Sequence, residues 1–358
     1  MRILIAQTSL HKNKKTFFVH SAINQFIEEL TKLGHEVFIT GSIIKCNTSG
    51  INLAEVDSTR AVEIQEHGQG FFKWISYLIA FLKFPFRINN FDVIYIFLPG
   101  NYSFLMGLMA FFLRKRIAIY LRVGKNSEAV RYKLLYKYSK FGFATGDKLN
   151  QLLSSYTYSQ QVVPLLDFPQ QLIQKFDLDN SFLNIIFVGR ITKLKGVDLL
   201  IDAFFDTEIK ELPIRLHLVG EGSKEIMDLA GNMPNVFTYG VISERGELFE
   251  LLRQCDVFCL PSLDEGFPRV LYEAAYSKCA ILTTFVGSIE SMMQHDLNCM
   301  RLGIGSEDDI KHYIKILYED SNLRERLQRE AYKFYLNKFD SIEGTHADQF
   351  NEALIKYI

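Results

Sequence analysis

Cysteine and tryptophan are scarce in this chain of 358 residues, and none of its apolar runs is long. The five cysteines are an odd number without paired spacing, which argues against a disulfide framework and against a zinc site. The longest apolar runs, residues 74–82 and 104–113, fall well short of the roughly 18 residues that a transmembrane helix needs. The first residues begin a strand and lack the layout of a signal peptide. We therefore expect a cytoplasmic protein, and an association with the inner face of the membrane stays open.

Glycine is missing from the segment that follows the first predicted strand. Residues 3–7 predict a buried strand, and residues 8–16 come after it without a glycine. The lack of a Gly-x-Gly-x-x-Gly pattern there argues against a dinucleotide-dependent dehydrogenase. We expect residues 8–16 to form a loop. In it, Lys12, Lys14 and Lys15 either contact an anionic acceptor or a phospholipid surface, or are merely solvated.

Net charge is close to zero, but the charges are unevenly divided along the chain. Residues 1–168 contain 20 Lys and Arg against 11 Asp and Glu, whereas the remaining residues contain 20 against 30. A basic half favours an anionic partner such as a membrane or an acceptor, although a chance division of solvated charges gives the same count. We do not expect a nucleic-acid partner.

Short apolar runs alternate with longer helical patterns, which is typical of βαβ units and parallel sheets. The first half has predicted strands at residues 3–7, 36–40, 93–98 and 117–122, and a helix at 19–33. Gly34 closes that helix in a position that favours a left-handed cap. The second half has predicted strands at residues 184–188, 214–219, 257–260 and 280–283, and a helix at 197–205.

Two prolines within residues 163–169 interrupt both patterns, so we place a domain boundary there. The predicted fold is α/β, with two Rossmann-like, doubly wound domains facing a central cleft. An apolar helix predicted at residues 71–84 is either a core helix of the first domain or a peripheral membrane anchor with Trp74 at the interface.

A first motif, Gly189-Arg190 followed by Lys195-Gly196, comes directly after a predicted strand. Ligands bind at the carboxyl edge of such sheets, and an arginine and a lysine on one short loop suit a diphosphate. Taken alone, the segment is better interpreted as a solvated loop with ordinary charges.

A second motif runs from Pro261 to Glu273 and also follows a predicted strand. Pro268 suits the first position of a helix, whose amino end favours phosphate or a polarised sugar. Glu265 is expected in the loop and Glu273 on the helix, where carboxylates accept hydrogen bonds from pairs of sugar or ribose hydroxyls.

The order of these parts, with Gly220-Glu221-Gly222 between them, resembles family 4 of the retaining glycosyltransferases, which have the GT-B fold. The resemblance covers residues 184–335. It implies an acceptor-binding domain at residues 1–165, a donor-binding domain at 166–338, and a last helix within 339–358 that crosses back to the first domain.

The resemblance also implies roles for particular residues. Arg190, Lys195 and Glu265 would be catalytic, because the two cations stabilise the leaving diphosphate and Glu265 contacts the transferred sugar. The implied donor-binding residues are Gly189, Arg190, Lys195, Gly222, Val241, Glu265, Gly266, Phe267, Pro268, Val270 and Glu273. Glu273 would bind the ribose. Neither a metal nor another cofactor is implied, in line with the lack of an Asp-x-Asp motif at a strand end.

The chain departs from the family pattern in three places. The loop after the first strand has no glycine, Cys299 replaces a glycine, and a histidine near the sugar has no clear counterpart. Arg122 lies in roughly that last region and is the acceptor-side candidate beside Lys12, Lys14 and Lys15.

The implied activity is transfer of a sugar from a UDP- or GDP-sugar to a glycan or lipid-linked glycan during bacterial surface polysaccharide assembly, with peripheral contact to an anionic membrane. Two alternatives stay open: a sugar-nucleotide epimerase of similar two-domain fold, and a non-catalytic subunit that binds nucleotide-sugar.

Overall fold

The structure is a computed structural model that describes residues 1–45, 53–62, 85, 87–122, 129–162, 165, 168–169, 171–222, 224–266, 268–339 and 345–358. The chain divides into two compact units. The first comprises Met1–Asp167 together with Ile342–Ile358, and the second comprises Phe168–Ser341. The predicted apolar helix at residues 71–84 lies outside the described residues.

The first unit is built on a sheet of eight strands. They are β1 (Arg2–Asn13), β2 (Thr16–His20), β3 (Glu36–Lys45), β4 (Leu53–Val56), β5 (Val93–Leu98), β6 (Arg116–Leu121), β7 (Phe141–Ala144) and β8 (Tyr158–Gln161). The sheet order is β4-β2-β1-β5-β6-β7-β8, and β3 pairs with β1. Strands β3, β1, β5, β6, β7 and β8 pair in parallel, while β2 pairs antiparallel with β1 and β4.

Among the described residues of this unit, four helices follow its strands: α1 (Ser21–Lys32), α2 (Asn101–Phe112), α3 (Lys133–Tyr138) and α4 (Asp147–Ser154). Helix α1 buries Ala22, Ile23, Phe26, Ile27 and Leu30, which recur at helical spacing on one face. Gly34 follows this helix with φ +87°, so the predicted left-handed cap is confirmed.

The prediction of a loop at residues 8–16 is wrong. Strand β1 continues to Asn13 and forms a hairpin with β2, whose turn contains Lys14 and Lys15. Leu10, Phe17 and Val19 are buried in the core, and this burial holds both strands of the hairpin in the sheet. The predicted helix at 19–33 accordingly begins later, at Ser21.

The second unit contains β9 (Leu183–Val188), β10 (Ile214–Val219), β11 (Val236–Gly240), β12 (Val257–Leu260), β13 (Ala280–Thr284) and β14 (Met300–Leu302). All neighbouring strands pair in parallel, in the order β11-β10-β9-β12-β13-β14. Its helices are α5 (Val197–Phe205), α6 (Thr207–Lys210), α7 (Lys224–Gly231), α8 (Arg245–Gln254), α9 (Val270–Tyr276), α10 (Ile289–Met292), α11 (Glu307–Glu319) and α12 (Ser321–Phe339). This strand order is that of a Rossmann sheet.

The last helix, α13 (His346–Tyr357), belongs to the first unit, where it packs into the core. Its Phe350 ring lies 4.4 Å from that of Tyr95. The Nε2 atom of the half-buried His346 is 2.8 Å from the Tyr95 hydroxyl. Among the described helices, none is both long and apolar enough to cross a membrane.

Candidate functional site

The order of the second sheet reverses between β9 and β12, which lie side by side in parallel. At such a point the connections leave for opposite faces of the sheet, and a crevice opens at the carboxyl ends of the two strands. Residues 189–196 follow β9 and residues 261–269 follow β12. The structure therefore brings the two motifs found in the sequence to one edge of one sheet.

Glu265, in the β12 loop, has a side chain that is only 6% exposed. Its Oε1 accepts hydrogen bonds from Lys195 Nζ at 2.5 Å and from Ser262 Oγ at 2.7 Å. The first bond is charge-assisted and spans the two loops, since Lys195 belongs to the segment after β9. Lys195 and Glu265 thus form one unit, and Ser262 fixes the carboxylate within it.

The backbones of the two loops also touch. Leu263 N donates to Leu194 O at 2.9 Å, and Gly196 approaches Pro261 so closely that an added Cβ would lie 2.1 Å from the proline carbonyl oxygen. Gly196 also has φ +66°, which favours glycine. The Lys195–Glu265 pair therefore sits on a rigid backbone contact.

A third segment, after β13, supports Glu265 from another direction. A Cβ added to Gly287, whose φ is +60°, would lie 1.9 Å from the Glu265 carbonyl oxygen. Ser288 Oγ donates to the Gly266 carbonyl at 2.7 Å, and Thr284 Oγ1 donates to the Ser262 carbonyl at 2.6 Å. Side-chain and backbone contacts from three loops therefore fix the position of Glu265.

Glu273 lies on α9 and is held by a second ion pair. Arg245 Nη2 donates to Glu273 Oε1 at 2.6 Å, and both side chains are nearly buried. Arg245 is the first residue of α8, and its guanidinium lies 4.9 Å from the centre of the Phe249 ring. This packing orients the arginine toward the glutamate.

The two glutamates are held in the same way, each through Oε1 and each by a cation. Within the part of the chain that the structure describes, no group donates a hydrogen bond to the Oε2 of Glu265 or Glu273. Each carboxylate therefore keeps one oxygen for a ligand hydroxyl while its charge is already compensated.

Arg190 is exposed at the end of β9. Its side chain makes no ion pair or hydrogen bond with any described residue. Gly189, just before it, donates its N–H to the Val219 carbonyl at 2.9 Å and so extends the sheet by one residue. Arg190 is thus a cation on a fixed backbone position, free to contact an anion.

The other predicted donor-binding residues that the structure describes lie at the same edge. Gly222 follows β10, where it forms a bridge with Ile191, and Val241 follows β11. Gly266 and the buried Pro268 lie in the β12 loop. Phe267 lies outside the described residues.

One detail of this loop differs from the prediction. Helix α9 begins at Val270, so Pro268 precedes it by two residues instead of being its first residue. The Pro268 carbonyl accepts from Leu271 N at 3.1 Å, so a tight turn leads into the helix.

The acceptor-side candidates all belong to the first unit. Lys12 lies on β1, with its Nζ 5.1 Å from the centre of the Phe17 ring, and Lys14 and Lys15 are exposed in the hairpin turn. Arg122 follows β6, and its guanidinium lies 5.7 Å from the centre of the Phe97 ring. The structure places the three lysines along one hairpin and Arg122 just after a different strand, β6.

Metal ligation and thiol chemistry have little support in the described residues. They contain no group of three or more His, Cys, Asp or Glu side chains placed to hold a metal ion. The four described cysteines are free and buried, and burial raises the pKa of the Cys259 and Cys279 thiols, which makes them poor nucleophiles.

The sequence reasoning missed Arg245 and the Gly287-Ser288 brace. Arg245 is separated from Glu273 by 28 positions, and only its place after β11 signals that it shares the carboxyl edge. Gly287 likewise follows a strand, β13, and this position is the only feature of the sequence that places it at the same carboxyl edge.

Residues 170–334, nearly all of the second unit, match the family model described as glycosyl transferases group 1. A curated relative is the capsular polysaccharide biosynthesis glycosyltransferase CapM of Staphylococcus aureus. It is 28% identical over 272 residues, which cover 66% of this chain and 70% of CapM.

Two solved structures resemble the whole chain. Sucrose-phosphate synthase of Thermosynechococcus elongatus has a TM-score of 0.70 at 14% identity, covering 99% of this chain and 98% of that one. Anabaena HepE, solved with UDP and glucose, has a TM-score of 0.66 at 15% identity, covering 99% and 100%. The predicted fold is confirmed: the chain has the GT-B fold, and its second unit carries the group 1 glycosyltransferase match.

Proposed function

We propose that this protein is a retaining glycosyltransferase that moves a sugar from a nucleoside-diphosphate sugar to a glycan or lipid-linked glycan. The observation that carries the proposal is the pair of cation-held glutamates at the switch point of the second sheet. The family match of this unit and the name of the capsular polysaccharide relative support it. That relative's name also supports a role in surface polysaccharide assembly.

Arg190 and Lys195 suit the diphosphate of the donor. Arg190 offers a planar fork of N–H groups with no described partner, and Lys195 has three ammonium donors, of which one is given to Glu265. Both follow β9 at the switch point, where doubly wound sheets bind phosphate groups.

Glu273 suits the ribose, because its Oε2 is left to accept from the vicinal hydroxyls while Arg245 compensates its charge. Gly222 and Val241 lie at the ends of the neighbouring strands, on the side where the base would extend. The base we favour is uracil or guanine, and HepE, which shares the fold, was solved with UDP.

Glu265 suits the transferred sugar. In the reaction the bond between the anomeric carbon and the diphosphate oxygen breaks, and its electron pair stays on that oxygen. The acceptor hydroxyl oxygen forms the new bond to the anomeric carbon, and its proton passes to the departing diphosphate oxygen. Negative charge grows on the diphosphate, where the cations Arg190 and Lys195 stabilise it without a metal ion, an effect worth several kcal/mol in comparable sites. Glu265 accepts from a sugar hydroxyl and holds the ring over this charge.

The test is to follow nucleoside-diphosphate sugars by proton NMR with a panel of glycan and lipid-linked glycan acceptors. We expect transfer to one acceptor class with the anomeric configuration of the donor. Glu265→Gln should abolish it, and Glu319→Gln, an exposed glutamate on α11, should not. An epimerised sugar formed without acceptor would instead identify an epimerase, and binding without turnover on every acceptor would identify a non-catalytic subunit.

A further inference from the structure

The first described residues of the second unit lie along helix α8. They are residues 168–169 and 171–178, which directly follow the boundary between the two units, and we name them the entry segment. None of these described residues belongs to a helix or a strand. Contacts with other elements therefore have to fix the course of the entry segment.

Hydrogen bonds join the entry segment to both ends of α8. At the start of the helix, Ile173 N donates to the Gly246 carbonyl at 3.3 Å. At its end, the side chain of Gln254 donates to the Phe176 carbonyl at 2.9 Å and accepts from Leu178 N at 2.9 Å. The helix cannot slide along its axis without breaking these bonds, so the entry segment and α8 hold each other in place.

Gly246 brings the backbone of the entry segment into direct contact with the start of α8. A Cβ added to this glycine would lie 2.6 Å from the Gln171 carbonyl oxygen and 2.8 Å from Cγ1 of Ile173. Only glycine permits so close an approach. Gly246 is the second residue of α8 and directly follows Arg245, so the entry segment fixes the backbone that carries this arginine.

Phe168, the first residue of the entry segment, packs against both helices that carry the Arg245–Glu273 pair. Its ring centre lies 5.5 Å from that of Phe249 on α8 and 4.8 Å from that of Tyr276 on α9. The Phe249 ring in turn lies 4.9 Å from the guanidinium of Arg245. Tyr276 is the last residue of α9 and lies one turn after Glu273. One aromatic ring therefore contacts the supports of both charged partners.

We propose that the entry segment positions the Arg245–Glu273 pair for recognition of the ribose, with Phe168 and Gly246 as positioning residues. This inference rests on the proposed function, in which the Oε2 of Glu273 accepts from the ribose hydroxyls. The pair has a length of 2.6 Å, and a charge-assisted hydrogen bond is lost beyond about 3.5 Å. A small change in the separation of α8 and α9 therefore releases Glu273 from its orientation and weakens nucleotide binding.

Isothermal titration of the full chain with UDP, GDP and their 2′-deoxy forms tests this inference. Phe168→Ala should weaken binding of the ribonucleotide that the parent binds by about fivefold. The 2′-deoxy form, which lacks one of the two vicinal hydroxyls, should lose clearly less affinity. Phe168→Tyr keeps the ring and should bind both forms as the parent does.

Gly246→Ala is an independent variant of the same contact. Its methyl group displaces either the Gln171 carbonyl or the start of α8, so we expect the same selective loss of ribonucleotide affinity. Phe182→Ala is the matched control, because this half-buried ring of the same unit precedes β9 and lies 3.7 Å from the Arg215 guanidinium. It should leave the affinity for both nucleotide forms unchanged.

The outcomes separate this inference from the proposed function. Equal losses for the two nucleotide forms in Phe168→Ala would show a merely structural role and overturn the inference, as would parent-like binding in this variant. In both cases the proposed function would still stand. A parent that binds neither UDP nor GDP would overturn the proposed function and this inference with it. Circular dichroism verifies folding, and if Gly246→Ala does not fold, the two Phe168 variants decide the test.

Discussion

The guanidinium of Arg245 and the carboxylate of Glu273 form a nearly buried ion pair of 2.6 Å that joins the starts of helices α8 and α9. It leaves one carboxylate oxygen for a ligand, and it fixes which oxygen that is. If Glu273 accepts from the ribose hydroxyls, Arg245 is a positioning residue for nucleotide recognition.

We predict that Arg245→Met weakens binding of the nucleoside diphosphate by roughly tenfold or more, because the glutamate loses a charge-assisted hydrogen bond and its orientation. The 2′-deoxy nucleotide, which lacks one of the two vicinal hydroxyls, should lose less affinity in the variant than the ribonucleotide does. Isothermal titration with both nucleotides measures this. Arg253→Met, on the same helix and 5.4 Å from the centre of the Tyr276 ring, is the control. A tenfold loss for both nucleotides would show a merely structural role.

The Lys195–Glu265 pair yields a prediction about stability. Lys195→Met leaves a carboxylate that is 6% exposed without its cation, and should lower the free energy of unfolding by about 3 kcal/mol. Adding Glu265→Gln should recover much of that loss, because the unpaired charge is removed. Denaturant unfolding of both variants, with the exposed Lys193→Met as control, gives the comparison. If the Lys195→Met/Glu265→Gln variant were no more stable than Lys195→Met alone, the ion pair between Lys195 and Glu265 would not contribute to stability in this way.

Gly287→Ala tests the backbone brace behind Glu265. The new methyl group would lie 1.9 Å from the Glu265 carbonyl oxygen at a residue with φ +60°, so the loop has to move. We expect donor turnover to fall by at least about tenfold, because Glu265 is moved away from its position beside the sugar. The melting temperature should fall as well. Gly231→Ala, at the end of α7 with open space around it, should instead keep full activity. Unchanged turnover in Gly287→Ala would refute the brace.

His346, whose side chain is half-buried against the first core, makes the first unit sensitive to acid. Burial lowers its pKa to about 3, below the usual 6.5 of the unfolded chain. Between these values the unfolded chain holds a proton that the folded chain does not, so its contribution to stability is full above pH 6.5 and is lost as the pH falls toward 3. We predict that the free energy of unfolding falls less steeply between pH 6.5 and 4 in His346→Phe than in the parent.

The exposed His312→Phe should retain the parent slope. His217 in the second unit also has a pKa lowered by burial, to about 4, so part of the acid sensitivity should persist in His346→Phe. An unchanged slope in His346→Phe would contradict the assignment to this histidine.

The second unit was the easier half to predict from sequence. Helix α5 and strands β10 and β12 have the predicted bounds, because each has a regular pattern of buried apolar residues that ends at a glycine, a proline or a charged residue. The β1–β2 hairpin was missed because its turn contains Lys14 in a left-handed conformation where a glycine or asparagine is the usual signal.

Individual site residues were found more readily than their contacts. Arg190, Lys195 and Glu265 could be predicted as site residues because each follows a predicted strand, and ligands bind at the carboxyl edge of a parallel sheet. The pairing of Lys195 with Glu265, and of Arg245 with Glu273, depends on side-chain directions across 70 and 28 positions, which periodicity does not encode.

The most direct measurement is thermal unfolding with UDP, GDP, ADP, dTDP, CMP and their sugar conjugates, on the parent and on Arg190→Ala. Ligand at about 100 times its Kd should stabilise the parent by about 2.7 kcal/mol. We predict a shift with one nucleoside diphosphate, UDP or GDP, and its loss in Arg190→Ala but not in Arg329→Ala, which changes an exposed arginine on α12. No shift with any nucleotide, or an equal shift in Arg190→Ala, would contradict a donor site built on Arg190, Lys195, Glu265 and Glu273.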